Sequence, residues 1–131
     1  MLESKTENKS KNYVEEAESA VNRLEKNKKD EFKLTTSKLR NLLSMVSEIY
    51  NDVQSEGGAT LSKPLQNRIT YLNVRMVYEA GREPSVKDFI TKAKLLEKLN
   101  DIGADKENFI GFYNYLEALV AYHRFYGGKD Q

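Results

Sequence analysis

The strongest chemical signal in the chain is a row of five residues on one predicted helix. Arg68, Tyr71, Arg75, Tyr78 and Arg82 follow one another at steps of three, four, three and four, so on a helix they share one face beside the apolar stripe. Helical rise places Arg68 and Arg82 about 21 Å apart, a span that meets several phosphates along one strand. The planar guanidinium grips phosphate oxygens with two hydrogen bonds, and a tyrosine ring can lie against sugars or bases. A second reading fits the same spacing equally well: the tyrosines border an amphipathic core and the arginines reach past them into water. Glu79 and Glu83 dilute the charge of the row. A smaller basic pair, Lys38 and Arg40, falls in the first turn of the preceding predicted helix, where a cation opposes the helix macrodipole. Lys38 taken alone also fits an ordinary solvated side chain.

Little else in the chain can do chemistry. The absence of cysteine removes disulfides, zinc–thiolate sites, iron–sulfur clusters and thiol nucleophiles together. His123 is the single imidazole, and no serine or paired carboxylate stands near it in sequence. It reads as a surface or helix-end histidine, since catalytic use needs partners. No GxGxxG or GxxxxGK[ST] string is present, and the glycine pairs Gly57-Gly58 and Gly127-Gly128 read as loop punctuation. Glu15-Glu16 and the pair Asp101 and Asp105 read as solvated carboxylates without metal-ligand spacing. The expectation is a protein with no catalytic site, no metal and no cofactor.

Several helices must position the Arg/Tyr row. With 131 residues, 39% hydrophobic and 31% charged, the chain is long enough for one core, too apolar for disorder and too charged for a membrane span. Residues 1–12 are polar and without apolar periodicity, which predicts a flexible tail ahead of a bundle domain over 13–131. The tail also lacks a signal-peptide core, so a cytoplasmic location is expected. Tyr13, Ala17, Ala20, Val21 and Leu24 predict a first helix. Leu39, Leu42, Leu43, Val46, Ile49, Tyr50 and Val53, behind a Thr35-Thr36 pair suited to capping, predict a second. The third opens at Pro64 and buries Leu65, Ile69, Leu72, Met76 and Ala80, with Gly81 as its left-handed stop. Ser85 and Asp88 resemble a capping box at the start of a fourth helix through Phe89, Ala93, Leu96 and Leu99. Asp105 caps a fifth, whose stripe is Phe109, Phe112, Tyr113, Leu116, Leu119, Val120 and Phe125. Nothing alternates with a period of two, so the fold class is all-α, a single-domain bundle of about five helices.

Three strings, LTTSKLRNLL at 34–43, YEAGRE at 78–83 and YLEALVAYHRFYGGKD at 115–130, together resemble the small-subunit family of the type III-A CRISPR (Csm) effector complex. The resemblance runs from Phe32 to Asp130. It implies a non-catalytic helical bundle, several copies of which stack head to tail as the minor filament of an antiviral ribonucleoprotein. Its implied partners are the CRISPR guide RNA and target RNA, the backbone and large subunits of the complex, and other copies of itself, with no membrane. Target cleavage would belong to the backbone subunit. The family strings point to Lys38 and Arg40 in TTSKLRN and to Arg82 in YEAGRE as basic positions facing RNA or a neighbouring subunit. Arg75 and Arg68 join them by helical geometry. Tyr78, Tyr122, Arg124 and Tyr126 are implied contacts between copies.

The charge balance shapes this reading. Lys and Arg number 21 against 20 Asp and Glu, so no long-range field holds RNA, and contact must come from local clusters. Weak, salt-sensitive RNA binding by the isolated chain is the expectation, multiplied by repetition in a filament. The rival reading is a helical adaptor that binds only proteins and uses the Arg/Tyr row as its interface.

Overall fold

Most helix ends have a local cause in the sequence, and a few are set by contacts from elsewhere in the chain. The computed structural model describes residues 13–130; the polar tail expected over residues 1–12 lies outside the described residues. Helix α1 covers residues 13–22 and buries Ala17, Ala20 and Val21. A turn follows in which Asn27 Oδ1 accepts from the backbone N–H groups of Lys29 and Glu31, and Asp30 takes a left-handed conformation at φ 64°. Asparagine and aspartate tolerate such turns because their short side chains substitute for backbone partners.

Helix α2, Thr36–Ser55, starts where expected, with Thr35 as N-cap accepting from the Lys38 N–H. A second group helps close this end: the Thr36 N–H donates to the Lys129 carbonyl at 2.7 Å. The segment Gly128 to Asp130 therefore lies across the start of α2, and Ser37 Oγ donates to the Asp130 carbonyl at 3.0 Å. Helix α3, Lys63–Arg82, is capped by Ser62, whose side chain accepts from the Leu65 N–H.

The end of α3 differs from expectation. Gly81 is a helical residue in the last turn of α3 and is not among the positive-φ glycines, which are Gly58, Gly103 and Gly127. Pro84 does the stopping, because the residue before a proline is pushed out of the helical region, and Glu83 is extended at φ −132°, ψ 113°. The capping box also fails. Helix α4, Pro84–Lys92, starts on the proline, with Glu83 as N-cap and no side-chain cap bond. Asp88 instead accepts from the Glu25 N–H at 2.9 Å and pairs with Lys92 at 2.7 Å, tying the turn after α1 to α4. The predicted fourth helix is in fact two, since Lys94 adopts φ 56° and breaks it ahead of α5, Leu95–Asn100. Asp105 caps α6, Lys106–Phe125, by accepting from the Glu107 N–H at 3.1 Å.

The fold is all-α, with six helices and no strand among the described residues. Helix α2 packs along α6, and α3 lies against α2, α4 and α5. Leu39 and Val46 of α2, Met76 of α3, Phe89 of α4, Leu95 of α5 and Phe109, Leu116 and Leu119 of α6 are fully buried in one continuous apolar core. Among the described residues no helix is long and apolar enough to cross a membrane.

Two residues near the end of α6 are placed differently from expectation: Phe125, expected on the buried stripe, and His123, expected at the surface or helix end. Phe125 is 77% exposed, because it stands about 160° round the helix from Phe109 and so off the buried face. His123 is 0% exposed rather than at the surface. Its ring fills the place on the stripe that Phe125 does not.

Candidate nucleic-acid interface

Helices α2 and α3 present two matched rows across a shared groove. On α3 the row is Arg68, Tyr71, Arg75, Tyr78 and Arg82. On α2, Lys38, Asn41, Met45, Glu48 and Asp52 repeat at the same steps of three, four, three and four. The helices run antiparallel: Asp52 near the end of α2 pairs with Arg68 near the start of α3, and Lys38 near the start of α2 pairs with Glu83 just beyond α3 at 2.9 Å. Asn41, Ser44, Met45 and Glu48 line one wall of the groove, and Arg68, Tyr71 and Arg75 the other.

The tyrosines of the α3 row do not border the core. Tyr71 and Tyr78 are each 61% exposed and are absent from the residues packed on the core. Rings that sealed the edge of the core would be largely covered. These stand in solvent, flanked by guanidinium groups, and the Arg82 guanidinium sits 5.6 Å from the centre of the Tyr78 ring.

The basic residues differ in how free they are. Arg68 is engaged by Asp52, and Arg82 by Glu79 at 3.3 Å. Lys38 is half-buried against Glu83, and its ammonium, through a hydrogen bond first and its charge second, holds the Glu83 carboxyl below the usual range. Arg75 and Arg40 are exposed and enter no ion pair among the described residues. Arg40 does not join the groove. It is two residues from Lys38 and therefore about 200° away round α2, so the two cations of TTSKLRN face nearly opposite directions.

A family model described as Csm2 Type III-A matches residues 7–129. The chain belongs to the type III-A Csm2 family. A Streptococcus thermophilus protein named CRISPR system Cms protein Csm2 is 48% identical over 119 residues, covering 91% of this chain and 94% of the relative. A Mycobacterium tuberculosis protein of the same name is 42% identical over the same coverage of both chains. One from Enterococcus italicus is 44% identical over 100 residues, 74% of this chain and 71% of its own. Csm2 membership agrees with the resemblance carried by LTTSKLRNLL, YEAGRE and YLEALVAYHRFYGGKD.

The expected contacts between copies gather at the end of α6, apart from Tyr78 on α3. Tyr122 is half-buried and stacks on Tyr126 with centroids 6.3 Å apart. The Tyr126 hydroxyl donates to Glu18 of α1, and that carboxylate raises the phenol pKa above its ordinary value. Arg124 donates to the Gly128 carbonyl at 3.1 Å and lies 3.9 Å from the Asp130 carboxylate. All three thus make contacts within the chain, while Phe125 between them projects into solvent.

Two groups of functional interest escape a sequence reading. Asp52 carries no sign that it will meet Arg68, because the turn between α2 and α3 sets that register. Phe125 was hidden by its apolar character, although its helical phase separates it from Phe109. Among the described residues no group of three or more His, Cys, Asp or Glu side chains is placed to hold a metal ion. His123, the one tunable base, is sealed in the core with Nε2 2.8 Å from the Leu34 carbonyl.

Proposed function

We propose that this chain is a non-catalytic small subunit of the type III-A CRISPR-Csm ribonucleoprotein, stacked in several copies, whose α2–α3 groove runs along the backbone of the paired guide and target RNAs. The observation that carries the reading is the open Arg/Tyr face of α3, with Arg75, in no ion pair among the described residues, at its centre between two solvent-exposed tyrosines. Relatives that share the chain's length and bear the name CRISPR system Cms protein Csm2 support it. A guide-based particle must accept any target, so its proteins grip phosphates and duplex shape while base pairing reads sequence. Arginines at one-strand spacing, without a base-reading module, suit that demand. Its partners would be both RNAs, the backbone and large subunits, and further copies of itself.

The test is photocrosslinking of RNA in the purified particle, with alanine at Arg75 and Arg82. Crosslinks to α3 lost while the particle stays whole support RNA contact at this groove. A particle that fails to assemble, with RNA binding of the isolated chain unchanged, supports the protein-only adaptor instead.

A further inference from the structure

Three of the cations around the groove are already occupied by carboxylates of the same chain. Asp52 holds Arg68, Glu79 holds Arg82, and Glu83 holds Lys38. Each carboxylate takes a place where a phosphate oxygen would bind, since both are anionic acceptors matched to the same donors. The arrangement is spatially ordered: the two ends of the row are capped and the middle, Arg75, is open among the described residues.

We propose that Asp52, Glu79 and Glu83 act as guards that keep the groove closed to loose anions and yield only to a run of phosphates lying along the whole row. This rests on the RNA reading above and concerns the regulation of that same surface. The energetics fit a threshold rather than a block. All three pairs are part-exposed, with side-chain exposures of 38% and 36% for Lys38 and Glu83, 42% and 56% for Arg68 and Asp52, and 55% and 12% for Arg82 and Glu79. An exposed pair of this kind shifts a competing equilibrium by a factor of roughly 1.4 to 5. One phosphate gains too little at a guarded cation to be held there. A strand about 21 Å long displaces all three guards with a single loss of translational freedom, because the first contact at Arg75 raises the effective concentration of its other phosphates. Glu79 is the most sheltered of the three carboxylates, so Arg82 is the last cation released. The guards thereby favour RNA already laid along the groove in the assembled particle over free RNA outside it.

The full-length chain carrying Asp52→Asn, Glu79→Gln and Glu83→Gln is compared by fluorescence anisotropy with wild type and with a charge-matched control, Glu15→Gln, Glu97→Gln and Glu117→Gln. The control acids are outside the groove lining and enter no ion pair among the described residues. The probe is a labelled single-stranded RNA of mixed sequence, titrated over a series of salt concentrations. The guard variant is expected to bind on the order of 10-fold tighter than wild type. Its log–log salt slope should stay within about one unit of wild type, because a bound strand meets the same cations in both proteins and the guards act on the competing ion pairs of the free chain. The control should gain less than about 3-fold, from net charge alone. Equal gains in both variants, or none in the guard variant, overturn the proposal. Arg75→Ala separates the two layers: if it weakens binding while the guard variant gains nothing, the guards fail and the RNA reading stands. If neither Arg75→Ala nor the guard variant changes binding, both fall. Where the triple variant melts early, Glu83→Gln alone is read instead, with a gain of about 2-fold or more expected.

Discussion

Gly128 packs against the imidazole of His123: a Cβ built on it would stand 2.2 Å from both Cε1 and Nδ1 of the ring and 2.7 Å from the His123 carbonyl oxygen. The contact holds the strap that crosses the start of α2, because the Gly128 N–H donates to the His123 carbonyl at 2.7 Å and the neighbouring Lys129 carbonyl receives the Thr36 N–H. A glycine is required here for room. The clash involves a buried ring and backbone, neither of which can swing aside. Gly128→Ala should therefore destabilise the fold by about 1–3 kcal/mol, read as a lower midpoint in urea unfolding with an unchanged slope. An alanine variant as stable as wild type would show that the strap does not press on His123.

Gly81 makes the opposite prediction. As a left-handed cap it would resist replacement, but it is a helical residue in the last turn of α3 with nothing within 4 Å of a built Cβ. Glycine in a helix interior costs about 0.5–1 kcal/mol relative to alanine, mainly through the freedom it gives the unfolded chain. Gly81→Ala should raise the stability by about that amount, measured by thermal or urea unfolding. A loss of stability would mean that α3 ends where the sequence alone placed its end.

Arg75 should separate function from folding. The side chain is exposed and unpaired among the described residues, so Arg75→Ala should alter stability by no more than about 0.5 kcal/mol. The same change should lower the salt slope of RNA binding by about 0.7, the contribution of one single-strand phosphate contact. Arg40→Ala, on another side of α2, should leave the groove's RNA crosslinks in place. Equal loss from both variants would argue against the groove as the contact surface.

How far the sequence reaches depends on the range of the interaction that decides each feature. The apolar stripe of α2 and the caps at Thr35 and Asp105 were legible because a helix and its cap are set by residues within four positions of one another. The break at Lys94 was not: a lysine at φ 56° has no propensity to be there, and Ala93 and Leu95, both fully buried beside it, fix the turn through tertiary packing. Pro84 was a stronger stop signal than Gly81, since a proline constrains its neighbour sterically while a glycine merely permits a left-handed turn. For the site, the α3 row was visible as a spacing. The acids that engage it were partly hidden, as the partners of Arg68 and Lys38 arrive from other segments once α2 and α3 pair.

Burial of His123 gives the fold a dependence on pH in a window where few other side chains titrate. Burial pushes its pKa below the ordinary value of 6.5, outweighing the bond to the Leu34 carbonyl, and the Arg124 charge pushes the same way. The unfolded chain, with the ordinary pKa, therefore takes up a proton as pH falls through about 6.5, while the folded chain resists. Stability is fully present above that value, declines as pH drops below it, and stops declining for this reason once the folded histidine also protonates. The slope can reach at most about 1.4 kcal/mol per pH unit, the work of one proton. Urea unfolding of the wild type from pH 7.5 to 5.5 should show the decline. His123→Gln, which keeps a donor for the Leu34 carbonyl, should be less stable at pH 7.5 but nearly flat across the same range. A wild-type curve as flat as the variant's would place the imidazole in contact with solvent.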